Sequence, residues 1–140
     1  VFQSFHLIPR LTAFENIEMP MILSGMNPKE RSEKVSSALE KVGLTDRSDH
    51  KPEQLSGGQR QRVAIARSIV MEPDVLLADE PTGNLDTSSG NEVVKLIEEL
   101  NIAGLTLIVV THDREMGERS NRLIELRDGK IINDQNQKKA

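Results

Sequence analysis

The sequence predicts an α/β protein in which a helical subdomain is followed by part of a parallel β-sheet with flanking helices. Two apolar runs carry this prediction, Val75 to Ala78 and Leu105 to Val110. Continuous apolar runs are typical of strands that are buried on both faces of a parallel sheet. A helical pattern separates the two runs, and the order strand, helix, strand forms a right-handed crossover unit. A chain of 140 residues usually forms one domain.

Helix-start signals organise the first part of the chain. Thr12 and Glu15 form a capping-box pattern that starts a helix, and Pro20 is expected to kink or end it. Asn27 followed by Pro28 starts a second helix, with Asn as the N-cap and Pro at the first helical position. The apolar face of this second helix recurs with helical spacing. It consists of Val35, Ala38, Leu39 and Val42.

The remaining elements follow a polar loop at residues 44–54. A third helix is predicted over residues 59–70, and it is expected to be largely buried because most of its faces are apolar. Asp86 is the expected cap of a fourth helix, and Asp128-Gly129 is a two-residue hairpin signal. The chain is therefore divided into three regions. These are a helical subdomain over residues 1–70, a sheet-forming half over residues 71–132 and a polar tail over residues 133–140.

The composition argues against several classes of protein. There is no cysteine, which excludes disulfides and thiolate metal sites. The formal net charge is -4, whereas nucleic-acid binders usually carry a basic surplus, so no nucleic-acid partner is expected. Three Phe with no Tyr or Trp leave few platforms on which a base could stack. The longest apolar run, residues 105–110, is far below the ~20 residues that span a membrane.

A glycine-containing pentapeptide, Leu-Ser-Gly-Gly-Gln at residues 55–59, immediately precedes the third helix. Glycines let the backbone approach a ligand closely, and a helix N-terminus presents free N–H groups with a partial positive charge. The segment therefore predicts an anion cradle, although a Ser-capped helix after a Gly-Gly turn is the simpler explanation of Ser-Gly-Gly taken alone. The candidate binding residues are Ser56, Gly57, Gly58 and Gln59.

Asp79 and Glu80 stand at the carboxyl end of the first predicted strand. Ligands of open α/β sheets bind at that edge. An Asp there can hold Mg²⁺ directly or through water, and a neighbouring Glu can take a proton from an attacking water. A solvated turn is the alternative, since Pro81 follows directly. His112 follows the second strand and could donate a hydrogen bond to a phosphate at the same edge, whereas His6 and His50 are expected to be structural.

With these motifs in order, the chain resembles the nucleotide-binding subunit of ATP-binding cassette (ABC) transporters. The pentapeptide at residues 55–59 matches the family signature, and Val75 to Asp79 matches its Walker B strand. The other matches are Phe2-Gln3 to the Q-loop, Glu80 to the catalytic glutamate, Gly83-Asn84-Leu85-Asp86 to the D-loop and Thr111-His112 to the switch histidine. Val1-Phe2-Gln3, Leu7-Ile8-Pro9 and His50-Lys51-Pro52, among others, resemble the branch that serves lipoprotein release and macrolide export.

The resemblance implies a P-loop NTPase core with an ABC-type helical subdomain, and a mechanism that uses ATP and Mg²⁺. Two subunits would face head to tail, so that Ser56 and the glycines close on the ATP of the partner subunit. Glu80 would activate water and His112 would hold the γ-phosphate. Gln3 would report on the phosphate and Mg²⁺, and Asp86 would act across the dimer. The subunit would dock on a separate transmembrane permease, cytoplasmic and peripheral at the inner face of the cell membrane.

One motif of the family is missing: no stretch of the chain fits G-x-x-x-x-G-K-S/T, the Walker A loop that grips the phosphates. We therefore expect these 140 residues alone to be marginally stable, to bind ATP weakly and not to hydrolyse it. Apolar faces of the strands are expected to be exposed as well. Two alternatives stay open. One is a catalytically inert ABC fragment that acts as an interaction module, and the other is an ABC-type ATPase of chromosome maintenance.

Overall fold

The computed structural model describes residues 1–137, so the last three residues of the predicted polar tail lie outside the described part. The chain forms two compact units, Val1–Val109 and the segment from Val110 onwards. The boundary predicted near residue 70 lies inside the first unit, so it is a subdomain boundary and not the boundary between the two units. It stays a prediction. Helices on both sides of residue 70 contribute buried side chains to one core.

The first unit contains the four predicted helices, each preceded by the polar cap that the sequence indicates. The helices are α1 (Ala13–Leu23), α2 (Pro28–Lys41), α3 (Gly57–Ile69) and α4 (Thr87–Ile102). The predicted loop before α3 contains two short 3₁₀ turns, Thr45–Arg47 and Pro52–Gln54. Helix α3 is central, because it packs against the other three helices.

Pro20 was expected to kink or end α1; the helix continues through it to Leu23, so the ending is wrong and the kink stays a prediction. Proline removes one backbone N–H donor and crowds the preceding turn. Met21, the next residue, is fully buried in the core, and Ser24 N–H donates to the Pro20 carbonyl oxygen at 3.1 Å. Packing and capping thus hold the last turn of the helix in place.

Asn16 is a fully buried polar residue inside this core. Its Nδ2 donates to the carbonyl oxygens of Ile8 (3.2 Å), Leu11 (3.1 Å) and Thr12 (2.9 Å). Its Oδ1 accepts from Ile8 N–H at 2.8 Å. Both ends of the amide are therefore satisfied, and they fix the loop that leads into α1.

The two predicted strands are β1 (Val75–Asp79) and β2 (Thr106–Val110), which pair in a two-stranded sheet. Thr106 N–H at the start of β2 donates to the carbonyl oxygen of Asp74, just before β1, at 3.1 Å. The strands therefore begin side by side and run parallel, as expected of a crossover unit.

The expectation that both strands are buried on both faces was wrong. In β1, Leu76 and Ala78 are buried, but Val75 and Leu77 are 45% and 62% exposed. In β2, alternate residues pack against the helical core, while Ile108 is 52% exposed. The helices of this unit share one core on one face of the sheet, so the other face stays largely open to solvent. This agrees with the expectation that apolar strand faces are exposed.

Val1 pairs with the other edge of β1. Its N–H group donates to the Leu77 carbonyl oxygen at 2.7 Å, and its carbonyl oxygen accepts from Asp79 N–H at 2.9 Å. These two bonds bracket Ala78 in the pattern of a parallel ladder. The following residues, including Gln3, therefore leave the sheet at the edge where β1 ends.

The second unit contains α5 (Arg114–Glu118), which the sequence did not predict, and an antiparallel hairpin of β3 (Arg122–Arg127) and β4 (Lys130–Asn136). The predicted turn is confirmed, since Asp128 and Gly129 both have positive φ, 50° and 72°. This is the conformation of the two-residue turn that suits a hairpin.

Strand β4 extends beyond its predicted end at Ile132, so residues 133–136 are strand rather than free tail. Arg122 and Asp134 are diagonal neighbours on the two strands and form a bidentate ion pair of 2.8 and 2.7 Å. The Arg122 guanidinium holds the pKa of Asp134 below its usual range. Polar composition alone had indicated a tail, whereas the cross-strand pair favours the longer strand.

Candidate functional site

The signature segment forms the N-terminus of α3 as a reciprocal capping box. Ser56 Oγ accepts from Gln59 N–H at 3.2 Å, and Gln59 Oε1 accepts from Ser56 N–H at 2.9 Å. Two of the free donors of the helix start are thereby used. The N–H groups of Gly57 and Gly58 are the helix-start donors left for an anion. Ser56 is exposed and Gly57 is half-buried, whereas Gly58 is buried, so the open side of the cradle is at Ser56 and Gly57.

The two glycines permit close packing against the segment Gly83–Asp86 and the first turn of α4. A Cβ on Gly58 would lie 2.9 Å from Ser89 Cβ and 3.1 Å from Ser89 Oγ. A Cβ on Gly57 would lie 3.2 Å from Leu85 Cδ2. Glycine is thus required at position 58 by a close approach within this unit.

Asp79 and Glu80 end β1 in different settings. Asp79 is exposed, and Glu80 is half-buried with a positive φ of 45°. A non-glycine residue in that region costs about 1 kcal/mol, so its surroundings must hold it there. Pro81, the next residue, is fully buried. The backbone turn that presents the Glu80 carboxylate is therefore strained and clamped.

Gln3 lies directly against the Gly83–Asp86 segment. Its Nε2 donates to Asn84 Oδ1 at 3.3 Å, and Asn84 Nδ2 donates to the Gln3 carbonyl oxygen at 3.1 Å. A Cβ on Gly83 would lie 2.6 Å from Gln3 Nε2, so this contact needs a glycine there. Asn84 was not singled out as a partner of Gln3, since nothing local pairs residues this far apart in the chain.

Asp86 caps α4. Its Oδ1 accepts from Ser89 N–H at 3.0 Å and its Oδ2 accepts from Ser89 Oγ–H at 2.7 Å. These hydrogen bonds hold the pKa of the Asp86 carboxyl below its usual range. The carboxylate is exposed, so it remains accessible to another molecule while it caps the helix.

Sequence reasoning missed Gln61, which lies inside α3 and is fully buried. Its Nε2 donates to the Pro81 carbonyl oxygen at 2.8 Å and to the Phe2 carbonyl oxygen at 3.4 Å. No local signal marked it, because Gln61 stands between Arg60 and Arg62 in the polar first part of the helix.

The first unit therefore brings most of the predicted site residues to one region, with Gly83–Asp86 between the start of α3 and the Gln3 segment. His112 lies in the second unit, exposed, two residues after β2. Thr111 Oγ1 accepts from Asp113 N–H at 3.0 Å, and Asp113 caps α5. The predicted phosphate contact of His112 stays a prediction.

The donor set of the first unit fits a nucleotide phosphate better than a protein-only metal site. Within residues 1–137, no group of three or more His, Asp or Glu side chains could hold a metal ion. Mg²⁺ is usually held by one or two carboxylates with several waters and substrate phosphates, so one exposed Asp79 fits that mode. The glycine amides at the start of α3 fit a phosphate oxygen.

Parallel strands with flanking helices, superposing on solved ATP-binding cassettes, give this chain an α/β fold of the P-loop NTPase type. Residues 1–83 match the family model described as ABC transporter. The chain belongs to this family of ATP-binding proteins. A dimeric ATP-binding cassette solved in a post-hydrolysis state with ADP and Pi superposes with a TM-score of 0.83 at 40% identity, covering 99% of this chain and 63% of that one.

Relatives in bacteria agree. An uncharacterized ABC transporter ATP-binding protein of Bacillus subtilis, YvrO, is 51% identical over 96% of this chain and 59% of its own length. A second such protein, of Thermotoga maritima, is 54% identical over 94% of this chain and 56% of its own length. The macrolide export ATP-binding/permease protein MacB of Hyphomonas neptunium is 49% identical over all of this chain and 22% of its own length. The chain thus spans little more than half the length of the first two relatives.

None of the helices within residues 1–137 has the length and apolarity that crossing a membrane requires.

Proposed function

We propose that this chain is part of an ATP-binding and ATP-hydrolysing subunit that powers export or lipoprotein release through a separate membrane subunit. The observation that carries the proposal is the shared packing of two segments against Gly83–Asp86. The start of α3 and the Gln3 side chain both contact it, and it follows Asp79-Glu80 in the chain. Through such packing, a nucleotide contact that shifts one segment would also shift the segments packed against it.

The anion cradle would serve a second subunit. Ser56 is exposed at the start of α3, and the N–H groups of Gly57 and Gly58 lie beside it, so all three would contact the phosphates held by the partner subunit. Gln59 would keep the cradle in shape through its bond to Ser56. Asp86 would reach the partner from the adjacent segment. The dimeric cassette structure supports a pair of subunits, and the head-to-tail orientation is part of the proposal.

The chain's own carboxylates would act on the γ-phosphate side. Glu80 would accept a proton from the attacking water, while Asp79 would hold Mg²⁺, with Gln3 contributing through water. His112 would donate a hydrogen bond to the γ-phosphate. Bound Mg-ATP supplies the phosphoanhydride bond and the cation that neutralises its charge. The residues of this chain orient the water and hold the proton at Glu80.

The membrane partner is inferred from relatives. One group of relatives is named as macrolide export proteins in which the ATP-binding part and a permease form one chain. Others are named as ATP-binding proteins of ABC transporters. We propose an exporter or lipoprotein-release system, with this subunit cytoplasmic and peripheral at the inner face of the cell membrane. No nucleic-acid partner is proposed, in line with the net charge of -4.

An inert interaction module is the second candidate, because the chain contains no G-x-x-x-x-G-K-S/T stretch. Such a module would still offer its cradle to the nucleotide of a partner. Titration of these 140 residues with a fluorescent nucleotide measures the ATP affinity at this length. We expect weak binding, and micromolar Mg-ATP affinity would contradict this.

The direct test is steady-state ATP hydrolysis by the protein at the length its gene encodes. Glu80→Gln keeps the shape of the side chain but removes the base, so we expect turnover to fall by ~10²-fold or more. The control is Glu33→Gln, an exposed residue of α2, which is expected to leave turnover unchanged. Retained turnover in Glu80→Gln would contradict its role as general base. Absence of hydrolysis by the unsubstituted protein would instead favour the inert module.

A further inference from the structure

Gln61 is one of two fully buried polar residues in the described part of the chain, the other being Asn16. Asn16 satisfies both ends of its amide within one loop, which is a structural role. Gln61 differs, because its amide bridges segments that are far apart in the chain. Its Nε2 donates to the carbonyl oxygens of Pro81 and Phe2, at 2.8 and 3.4 Å.

The two acceptor carbonyls flank the residues that would act on ATP. Pro81 directly follows Glu80, whose backbone is held at a φ of 45°. Phe2 directly precedes Gln3, which contacts Asn84. Gln61 lies on α3, the helix that begins at the Ser56 cradle. One buried amide group therefore joins the cradle helix, the strained turn at Glu80 and the segment of Gln3.

The oxygen of the same amide indicates that Gln61 does not mainly serve the stability of the fold. Gln61 Oε1 is buried and has no hydrogen-bond partner among the described protein atoms. A buried acceptor without a partner costs free energy, which an apolar side chain of the same shape would avoid. The presence of glutamine at this position is thus better explained by the hydrogen bonds that its N–H group donates than by packing.

A second residue of α3 holds the same loop. Arg67 donates from Nη1 to the His6 carbonyl oxygen at 2.8 Å and from Nη2 to the Phe5 carbonyl oxygen at 3.2 Å. Phe5 and His6 both have positive φ, 60° and 47°, so this stretch needs such support. Helix α3 therefore holds both ends of residues 2–6 by hydrogen bonds, with Gln61 at Phe2 and Arg67 at Phe5 and His6. Of these two side chains, Gln61 also bonds to the turn at Glu80.

We propose that Gln61 is a positioning residue that transmits the position of the Ser56 cradle to Glu80 and Gln3. The effect of Gln61 on ATP hydrolysis rests on the proposed ATPase function. The coupling of the Pro81 and Phe2 carbonyls through Gln61 can be measured without nucleotide. When the cradle end of α3 shifts, the Gln61 amide moves the Pro81 and Phe2 carbonyls together. The residues that would act on one subunit's ATP thereby respond to the cradle that touches the partner's ATP.

The first test is residue-resolved amide hydrogen exchange. Gln61→Met keeps the length of the side chain but removes the donor. The reporter amides are Gly83, which donates to the Glu80 carbonyl oxygen, and Phe5, which donates to the Phe2 carbonyl oxygen. Loss of one hydrogen bond predicts about tenfold faster exchange at both. The control variant is Val63→Ala, a fully buried apolar truncation on the same helix, which is expected not to accelerate these two amides selectively.

Acceleration at one reporter alone, or an equal acceleration in Val63→Ala, would overturn the proposal. If Gln61→Met does not fold, the unsubstituted protein still gives an answer. Its Gln61 side-chain amide protons are expected to exchange about tenfold more slowly than those of the exposed Gln135. Equal rates for the two side chains would overturn the proposal as well.

The kinetic test uses the protein at the length its gene encodes. In Gln61→Met we expect kcat to fall by about tenfold while KM for ATP changes by less than about twofold, because the geometry around Glu80 is loosened rather than the phosphate contacts. A change in KM alone, or a kcat loss shared by Val63→Ala, would contradict the positioning role. If the unsubstituted protein does not hydrolyse ATP, the proposed function fails, while the exchange result still decides the coupling.

Discussion

Replacing Gly58 with Ala tests the close packing between the signature segment and α4. The new Cβ would lie 2.9 Å from Ser89 Cβ, a distance that real Cβ atoms do not adopt. Its neighbour is the first atom of a short side chain, so it cannot swing away. Either α3 or α4 must shift.

The magnitude follows from two opposing effects. Gly57 and Gly58 are the first two residues of α3, where Ala is favoured over Gly by at most about 1 kcal/mol, the value for a helix interior. Overpacking a well-filled core costs about 1–3 kcal/mol. Gly57→Ala shares the helix gain but meets only the flexible end of Leu85, at 3.2 Å. We therefore expect Gly58→Ala to be less stable than Gly57→Ala by about 1–2 kcal/mol.

The assay is urea unfolding of the purified variants, combined in a double-mutant cycle. Ser89→Gly removes the obstructing Cβ, so in that background the cost of Gly58→Ala is expected to fall below about 0.5 kcal/mol. Additive effects of the two substitutions, or equal stability of Gly57→Ala and Gly58→Ala, would refute the steric reasoning.

Two further predictions concern stability. Asn16→Ala leaves several buried backbone groups without partners. It is expected to lower the free energy of unfolding, measured by urea unfolding, by on the order of 3 kcal/mol. A loss below about 1 kcal/mol would contradict the role of its hydrogen bonds. Asp86 has a pKa held below its usual range by hydrogen bonds from Ser89, so its contribution is present above the pKa of the unfolded chain and is lost as the pH falls through the folded pKa. Asp86→Asn keeps a capping side chain and should weaken the acid-side fall in stability, whereas an unchanged fall across an acid pH series would disprove the linkage.

Helix starts were predictable because their causes are local. Thr12, Asn27, Ser56 and Asp86 each accept a hydrogen bond from a backbone N–H three residues ahead, as the sequence indicates. Strand burial was not predictable in the same way. An apolar run shows that a strand can be buried on both faces, but coverage depends on which other elements pack there.

The candidate residues of the site follow from the sequence, whereas their arrangement could be predicted only in part. Ser56 to Gln59, Asp79 and Glu80 follow from motifs whose spacing is short. The pairing of Gln3 with Asn84, and the bridge made by Gln61, join residues that are far apart in sequence. Such contacts depend on the tertiary fold, so no local sequence pattern predicts them. The role of His112 stays a prediction.

The central claim is that the cradle at Ser56 serves the ATP of a second subunit. The most direct measurement mixes two inactive variants of the protein at the length its gene encodes. Glu80→Gln removes the base, and Ser56→Glu places a negative charge in the exposed cradle. In a mixed head-to-tail dimer, one composite site keeps both an intact Glu80 and an intact Ser56. We expect the equimolar mixture to recover up to about a quarter of the unsubstituted ATPase activity, since half of the dimers are mixed and each has one intact site. Activity no higher than the mean of the two variants measured alone would contradict the claim.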